Sequence, residues 1–168
     1  MSTALVIIDT QVGAFSGDWA MPDGDELIAA CQRAVAHARA QGWSVLWVQH
    51  HEPAGAMDGA GFAIDSRLAP AADEPRIVKV EADAFSNAAL VQLLAGHDRI
   101  LLAGLQSDCC VQATALGGQR RILPVTLVSD AHHTWPQNNL TAAAVRERVN
   151  HELREAGIPL TTLAEVLA

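Results

Sequence analysis

Short apolar runs alternate along the chain with stretches in which apolar residues recur every three or four positions. "ALVIID" (4–9) is the first such run, continuous as expected of a strand buried on both faces. "DGDELIAACQRAVAHARAQG" then puts Leu27, Cys31, Ala34, Val35 and Ala38 on one helical face, with Asp23 or Asp25 near its start and Gly42 beyond its end. "WSVLWVQ" (43–49), "RIVKV" (76–80), "RILLAG" (99–104) and "PVTLVSD" (124–130) predict four further strands, and "IPLTTL" a sixth. Helical patterns occupy "NAALVQLLAGH" (87–97), "CCVQATALGG" (109–118) and "TAAAVRERVNHELREAG" (141–157). Residues 52 to 75, with their Gly, Pro and Asp, read as a long loop, and a loop of that length is often functional. There is no internal repeat and no linker. The alternation predicts one α/β domain over residues 1–168: three layers, α/β/α, around a six-stranded, mostly parallel sheet.

In open parallel sheets, sites form beyond the carboxyl ends of the strands, near the point where strand order reverses. The first strand ends at Asp9 and the second in Gln49, His50 and His51. The third carries Lys79 near its end, the fourth leads through Gly104 to Cys109 and Cys110, and the fifth delivers Asp130, His132 and His133. An acid, a lysine and a thiol at three such ends form a set able to do chemistry. Singly, each has a plainer reading. The aspartate caps a turn, the lysine is solvated, and the thiol is core filler, half of a redox pair or a metal ligand.

The turn before the fourth helix supplies a reason for reactivity. A thiol in the first turn of a helix meets unpaired backbone N–H groups and the positive end of the helix dipole, and both favour thiolate. Ser107 or Asp108 is placed to cap that helix. The same N–H groups suit an oxyanion on an attacked carbonyl. Asp9 is then the group to exchange protons with the thiol and a leaving group.

Composition narrows the choice of partner. Half of the 168 residues are apolar and only 18% are charged, as in a globular chain and unlike a disordered one. Eleven basic against nineteen acidic residues give a net charge of −8 with no basic cluster, which excludes a nucleic-acid footprint. Three cysteines do not make a disulfide framework. "MSTALVIIDTQ" lacks a basic segment and reaches a carboxylate after a short apolar run, unlike a secretion signal. No segment is long and apolar enough to span a bilayer. The expectation is a protein of the reducing cytoplasm acting on a small molecule.

Three blocks in order, "LVIIDTQVGAF", "VKVEADAFSNAAL" and "LLAGLQSDCCVQATAL", spanning nearly the whole chain, resemble those of the isochorismatase-like cysteine hydrolases. The first resembles the family's opening strand with its D-x-Q. The second resembles its lysine block. The third resembles its nucleophile block, with Ser107 where a threonine is common. "LVSDAHHTW" and the late "NHEL" are similar as well. The resemblance implies that Cys110 is the nucleophile, Asp9 the acid–base group and Lys79 its companion. Cys109 would then be a neighbour packing toward the sheet or a helix. It further implies a cis peptide joining Leu105 and Gln106, an oxyanion hole built from the N–H groups of Gln106 and Cys110, and a homo-oligomer of two or more chains.

Phe15, Trp19, Phe85 and Trp135 follow the relevant strand ends and are candidates for the pocket wall, with His50, His132 and His133 as candidate substrate ligands. Core packing is the competing reading for each aromatic. The family's nicotinamidases hold a metal with a D-x-H motif. Here "WVQHHEPAGAMDG" has Gln49 near the aspartate's place, and adjacent histidines on a strand point to opposite faces. The sequence therefore predicts no metal and no cofactor. The leading expectation is a cysteine amidohydrolase acting on a small amide, carbamoyl or lactam-like C–N bond. Its competitors are a vinyl-ether hydrolase of the isochorismatase type, which needs the acid and no thiol, and a silent ligand-binding module of the same fold.

Overall fold

A computed structural model describes residues 1–168. The chain runs β1 (Thr3–Ile8), α1 (Val12–Phe15), α2 (Gly24–Ala40), β2 (Ser44–His50), β3 (Arg76–Lys79), α3 (Ala88–Leu94), β4 (Arg99–Leu105), α4 (Gln112–Arg120), β5 (Val125–His133), α5 (Ala142–Glu155), β6 (Leu160–Thr161) and α6 (Leu163–Leu167). The strands form one six-stranded sheet in the order β3-β2-β1-β4-β5-β6, and every pairing is parallel. From β1 the chain winds outward through β2 to β3, then returns to place β4 on the other side of β1. The strand order therefore reverses between β1 and β4, and the crevice opens there.

All six residues of β1 are buried, because side chains alternate between two covered faces. Val6 and Ile8 point into a core completed by Leu90 and Leu94 of α3, Ala115 of α4, and Val149 and Leu153 of α5. Leu5 and Ile7 point into the opposite core, filled by Leu27, Cys31, Val35 and Ala38 of α2 and by Leu163 and Val166 of α6. Helices thus cover both faces. No helix is long and apolar enough to cross a membrane.

The structure departs from the sequence reading in three places. The segment 52–75 contains two 3-10 turns, Gly59–Phe62 and Ser66–Leu68, and is tied down over α1 and α2. Val12 N–H donates to the Ala63 carbonyl at 2.8 Å, and the Arg67 guanidinium binds Asp65 and Asp25. Strand β5 does not stop at Asp130. Its register against β4 slips after Leu102 pairs with Leu127, so that Gly104 pairs with His132 and Leu105 with His133. Asp130 is consequently turned away from the crevice and accepts from the Leu163 N–H at the start of α6, a helix the periodicity did not predict.

Candidate active site

Asp9 leaves β1 with φ at 55°, a left-handed conformation uncommon for an aspartate, and its N–H donates to the Val48 carbonyl. Two residues on, Gln11 fixes the neighbouring strand end. Its side-chain oxygen accepts from the His50 N–H at 2.7 Å, while its amide donates to the carbonyls of His50 and Phe62. This holds β2 in a register that sets His50 beside Lys79, its parallel partner on β3.

Lys79 is the hub. Its buried Nζ lies 3.0 Å from Asp9 Oδ2, 3.0 Å from His50 Nδ1 and 3.3 Å from Cys110 Sγ. An ammonium has three N–H donors, and here each has an acceptor. Because Nδ1 of His50 accepts, a neutral His50 carries its proton on Nε2. Burial, then the charge of Lys79, keep His50 below the usual histidine range. One ligand atom each of Asp9, His50 and Cys110 lie within 4.8 Å of one another, close enough for a metal site. The lysine ammonium already bridges all three, so a metal ion there would meet a like charge at contact distance.

Burial, and next the adjacent thiol of Cys110, hold the Asp9 carboxyl well above the ordinary carboxylate range, against the pull of Lys79. Its second oxygen, Oδ1, is buried without a hydrogen-bond partner and is free to take a proton. The two thiols lie 4.0 Å apart, with Cys110 donating to Cys109. That bond, with Lys79 nearby, pulls Cys109 down to about 6. The same bond and burial push Cys110 up, so the resting nucleophile candidate keeps its proton. Cys109 does not pack toward the sheet or a helix: it is exposed and lines the cleft.

The turn carrying these thiols is a five-residue π-helical segment, Ser107–Val111, leading into α4. The Gln106 carbonyl accepts from the N–H groups of Cys109 and Val111, on either side of Cys110, and the Gln106 N–H has no backbone acceptor. The peptide bond joining Leu105 to Gln106 is cis. Neither Ser107 nor Asp108 caps the helix. Asp108 accepts instead from Thr134 at 2.7 Å and from the Gln137 amide. Ser107 bonds to Nδ1 of His132 at 2.8 Å, and His132 Nε2 meets Asn150 Oδ1 at 2.9 Å. The Asn150 amide donates to the Ser129 carbonyl, which fixes its orientation. Nε2 of His132 must therefore donate, and Nδ1 accepts from the Ser107 hydroxyl. His132 is a buried brace for the turn and not a substrate ligand, and burial pushes it down to about 4.

A cleft of about 670 Å³ opens over these groups. Asp9, Gln106, Cys109, Cys110 and His50 line it, together with Trp19 and Trp135, whose indole N–H donates to the Trp19 carbonyl at 3.0 Å. Three proposed ligands lie elsewhere. Phe85 is buried in the core beneath α3 and α4. Phe15 packs toward α2 with the Arg67 guanidinium 5.7 Å above its ring. His133 is buried near Arg146, Asp23 and Glu26, outside the cleft, because the β5 register turns it there. Among residues that sequence reading did not single out, Glu52 and Met57 line the cleft and Asn150 braces the turn. Each had a signal only at the scale of a segment: Glu52 and Met57 fall in the long loop read from 52 to 75, and Asn150 in the "NHEL" block.

The isochorismatase domain model matches residues 3–165. The chain belongs to the isochorismatase family. Two streptothricin hydrolases of Streptomyces noursei are 33% and 31% identical to it over 137 residues, covering 79% of this chain and 54% and 50% of theirs, so the chain spans about half the length of these relatives. An isochorismatase structure from Pseudomonas putida superposes with a TM-score of 0.87 at 25% identity, covering 97% of this chain and 89% of that one. A cysteine hydrolase from Pseudomonas syringae pv. phaseolicola superposes at 0.84 over 98% and 90%; at 21% identity it shares the fold.

Proposed function

We propose that this isochorismatase-family chain is a metal-independent cysteine amidohydrolase that cleaves a small amide, carbamoyl or lactam-like C–N bond. The observation that carries this reading is the contact of one buried ammonium, Lys79, with both Asp9 and Cys110 at the floor of an open cleft. The relationship to the streptothricin hydrolases supports hydrolysis as the reaction type.

Cys110 Sγ attacks the carbonyl carbon, and its proton passes to Asp9, a stronger base than an exposed aspartate. Lys79 stabilises the charge that forms on sulfur, and the N–H groups of Gln106 and Cys110 receive the carbonyl oxygen. As the C–N bond breaks, Asp9 returns the proton to the departing nitrogen, leaving a thioester on Cys110. Water then gives a proton to Asp9 as its oxygen attacks the thioester. The acid departs, and the proton goes back to sulfur.

The raised Asp9 carboxyl also favours a second reading, protonation of a vinyl ether, because a carboxyl that holds its proton is ready to donate it. Cys110→Ala separates the two. Amide hydrolysis measured as ammonia or amine release falls by about three orders of magnitude or more in that variant. Undiminished turnover of the preferred substrate by Cys110→Ala would remove the thioester and leave the vinyl-ether chemistry.

A further inference from the structure

The cleft has an uneven charge. Apart from Asp9, which Lys79 pairs, its one charged carboxylate is Glu52, and no arginine or lysine lines it. The carboxylate of the exposed Glu52 lies over Gly55, whose missing side chain leaves it room: a Cβ there would come within 2.8 Å of Oε2. Trp19, 69% exposed, and the half-buried Trp135 line the same cavity, and the Trp135 indole N–H donates to the main-chain carbonyl of Trp19, which anchors the Trp135 ring. Indole faces beside an uncompensated carboxylate are the surroundings that a cation prefers, whereas an anion would meet Glu52 directly and the −8 charge of the whole chain at longer range.

We infer that the substrate of this cleft carries a positive charge at the end remote from the scissile carbonyl, an ammonium or guanidinium held by Glu52 and the faces of Trp19 and Trp135. The inference rests on the amide-hydrolase reading for the position of the carbonyl over Cys110, and it adds the specificity group at the other end. Glu52 is a specificity residue: it selects what enters and takes no part in bond breaking.

The test uses three matched amides, an ω-aminoalkanamide, the alkanamide of equal length and the ω-carboxyalkanamide, each as a short series in chain length. Calorimetric binding to Cys110→Ala is expected to favour the ammonium compound about tenfold over its neutral match, with the carboxylate weakest and the preference shrinking as salt rises. Glu52→Gln should bring the ratio close to one, and Glu52→Lys should invert the order. A ratio unchanged in Glu52→Gln, or no binding of the ammonium series, overturns the inference. Ammonia release by the wild-type chain is read in parallel. Turnover of all three amides without a cation preference leaves the hydrolase standing and removes the role of Glu52. A Glu52-dependent preference without turnover does the reverse.

Discussion

Lys79 directs its three N–H donors to a carboxylate, an imidazole and a thiol, and this fixes how protons are shared at the site. Because burial raises Asp9, the base form that accepts the thiol proton appears at higher pH than for an ordinary aspartate. The acid limb of kcat/KM should therefore rise with pH through a midpoint well above the ordinary carboxylate value of about 4, and Asp9→Asn should abolish turnover. A limb at that ordinary value would remove Asp9 from the role. Cys109 is a second lever. Its acceptance of the Cys110 hydrogen bond is the largest influence holding the proton on the proposed nucleophile. In Cys109→Ala, alkylation of Cys110 mapped by mass spectrometry should reach half-rate at lower pH than in the wild type. An unchanged or raised midpoint would count against the coupling. In the wild type, Cys109 should label first as pH rises, since it is exposed and the Cys110 hydrogen bond and Lys79 pull it down to about 6.

At the scale of elements, the β1–β4 pairing brings the turn that carries Cys110 beside Asp9. Gly104 has φ at +119°, and a Cβ there would run into the Ile8 backbone. Gly104→Ala should lower unfolding free energy by about 3 kcal/mol or more and reduce activity further than the stability loss explains. Urea unfolding and turnover on the same preparation check this, and a variant of wild-type stability would show that the close approach is not required. Much of this scale was legible in the sequence. Short apolar runs such as "ALVIID" and "RILLAG", alternating with helical patterns, suit strands of a parallel sheet covered on both faces. The slip in β5 was not legible, since "PVTLVSD" reads as a strand that ends at Asp130 and nothing in "AHHT" signals its continuation. It is the pairing of Gly104 with His132 that extends the strand and turns Asp130 away.

At the scale of the whole molecule, the buried His132 links the turn to α5 and couples stability to acid. Its pKa is depressed to about 4 from an unfolded value of 6.5. The stability it contributes is thus fully present above the unfolded value and is lost as pH falls toward the folded one, by about 3 kcal/mol across that window. Unfolding free energy measured against pH should show this slope, and His132→Gln should flatten it. An equal slope in both proteins would place the acid sensitivity elsewhere. The sequence by itself determined the α/β class and set Asp9, Lys79 and the paired thiols Cys109 and Cys110 at three strand ends, because burial period and strand ends are local properties of the chain; the choice of Cys110 between the thiols came from the family resemblance. Tertiary structure alone decided that His50 joins Lys79, that Cys109 faces the cleft, and that Phe15, Phe85 and His133 do not. Each of those outcomes depends on which strands lie side by side and in what register, and on how a long loop closes over them. Contacts between residues far apart in sequence set these things, and no short stretch encodes them.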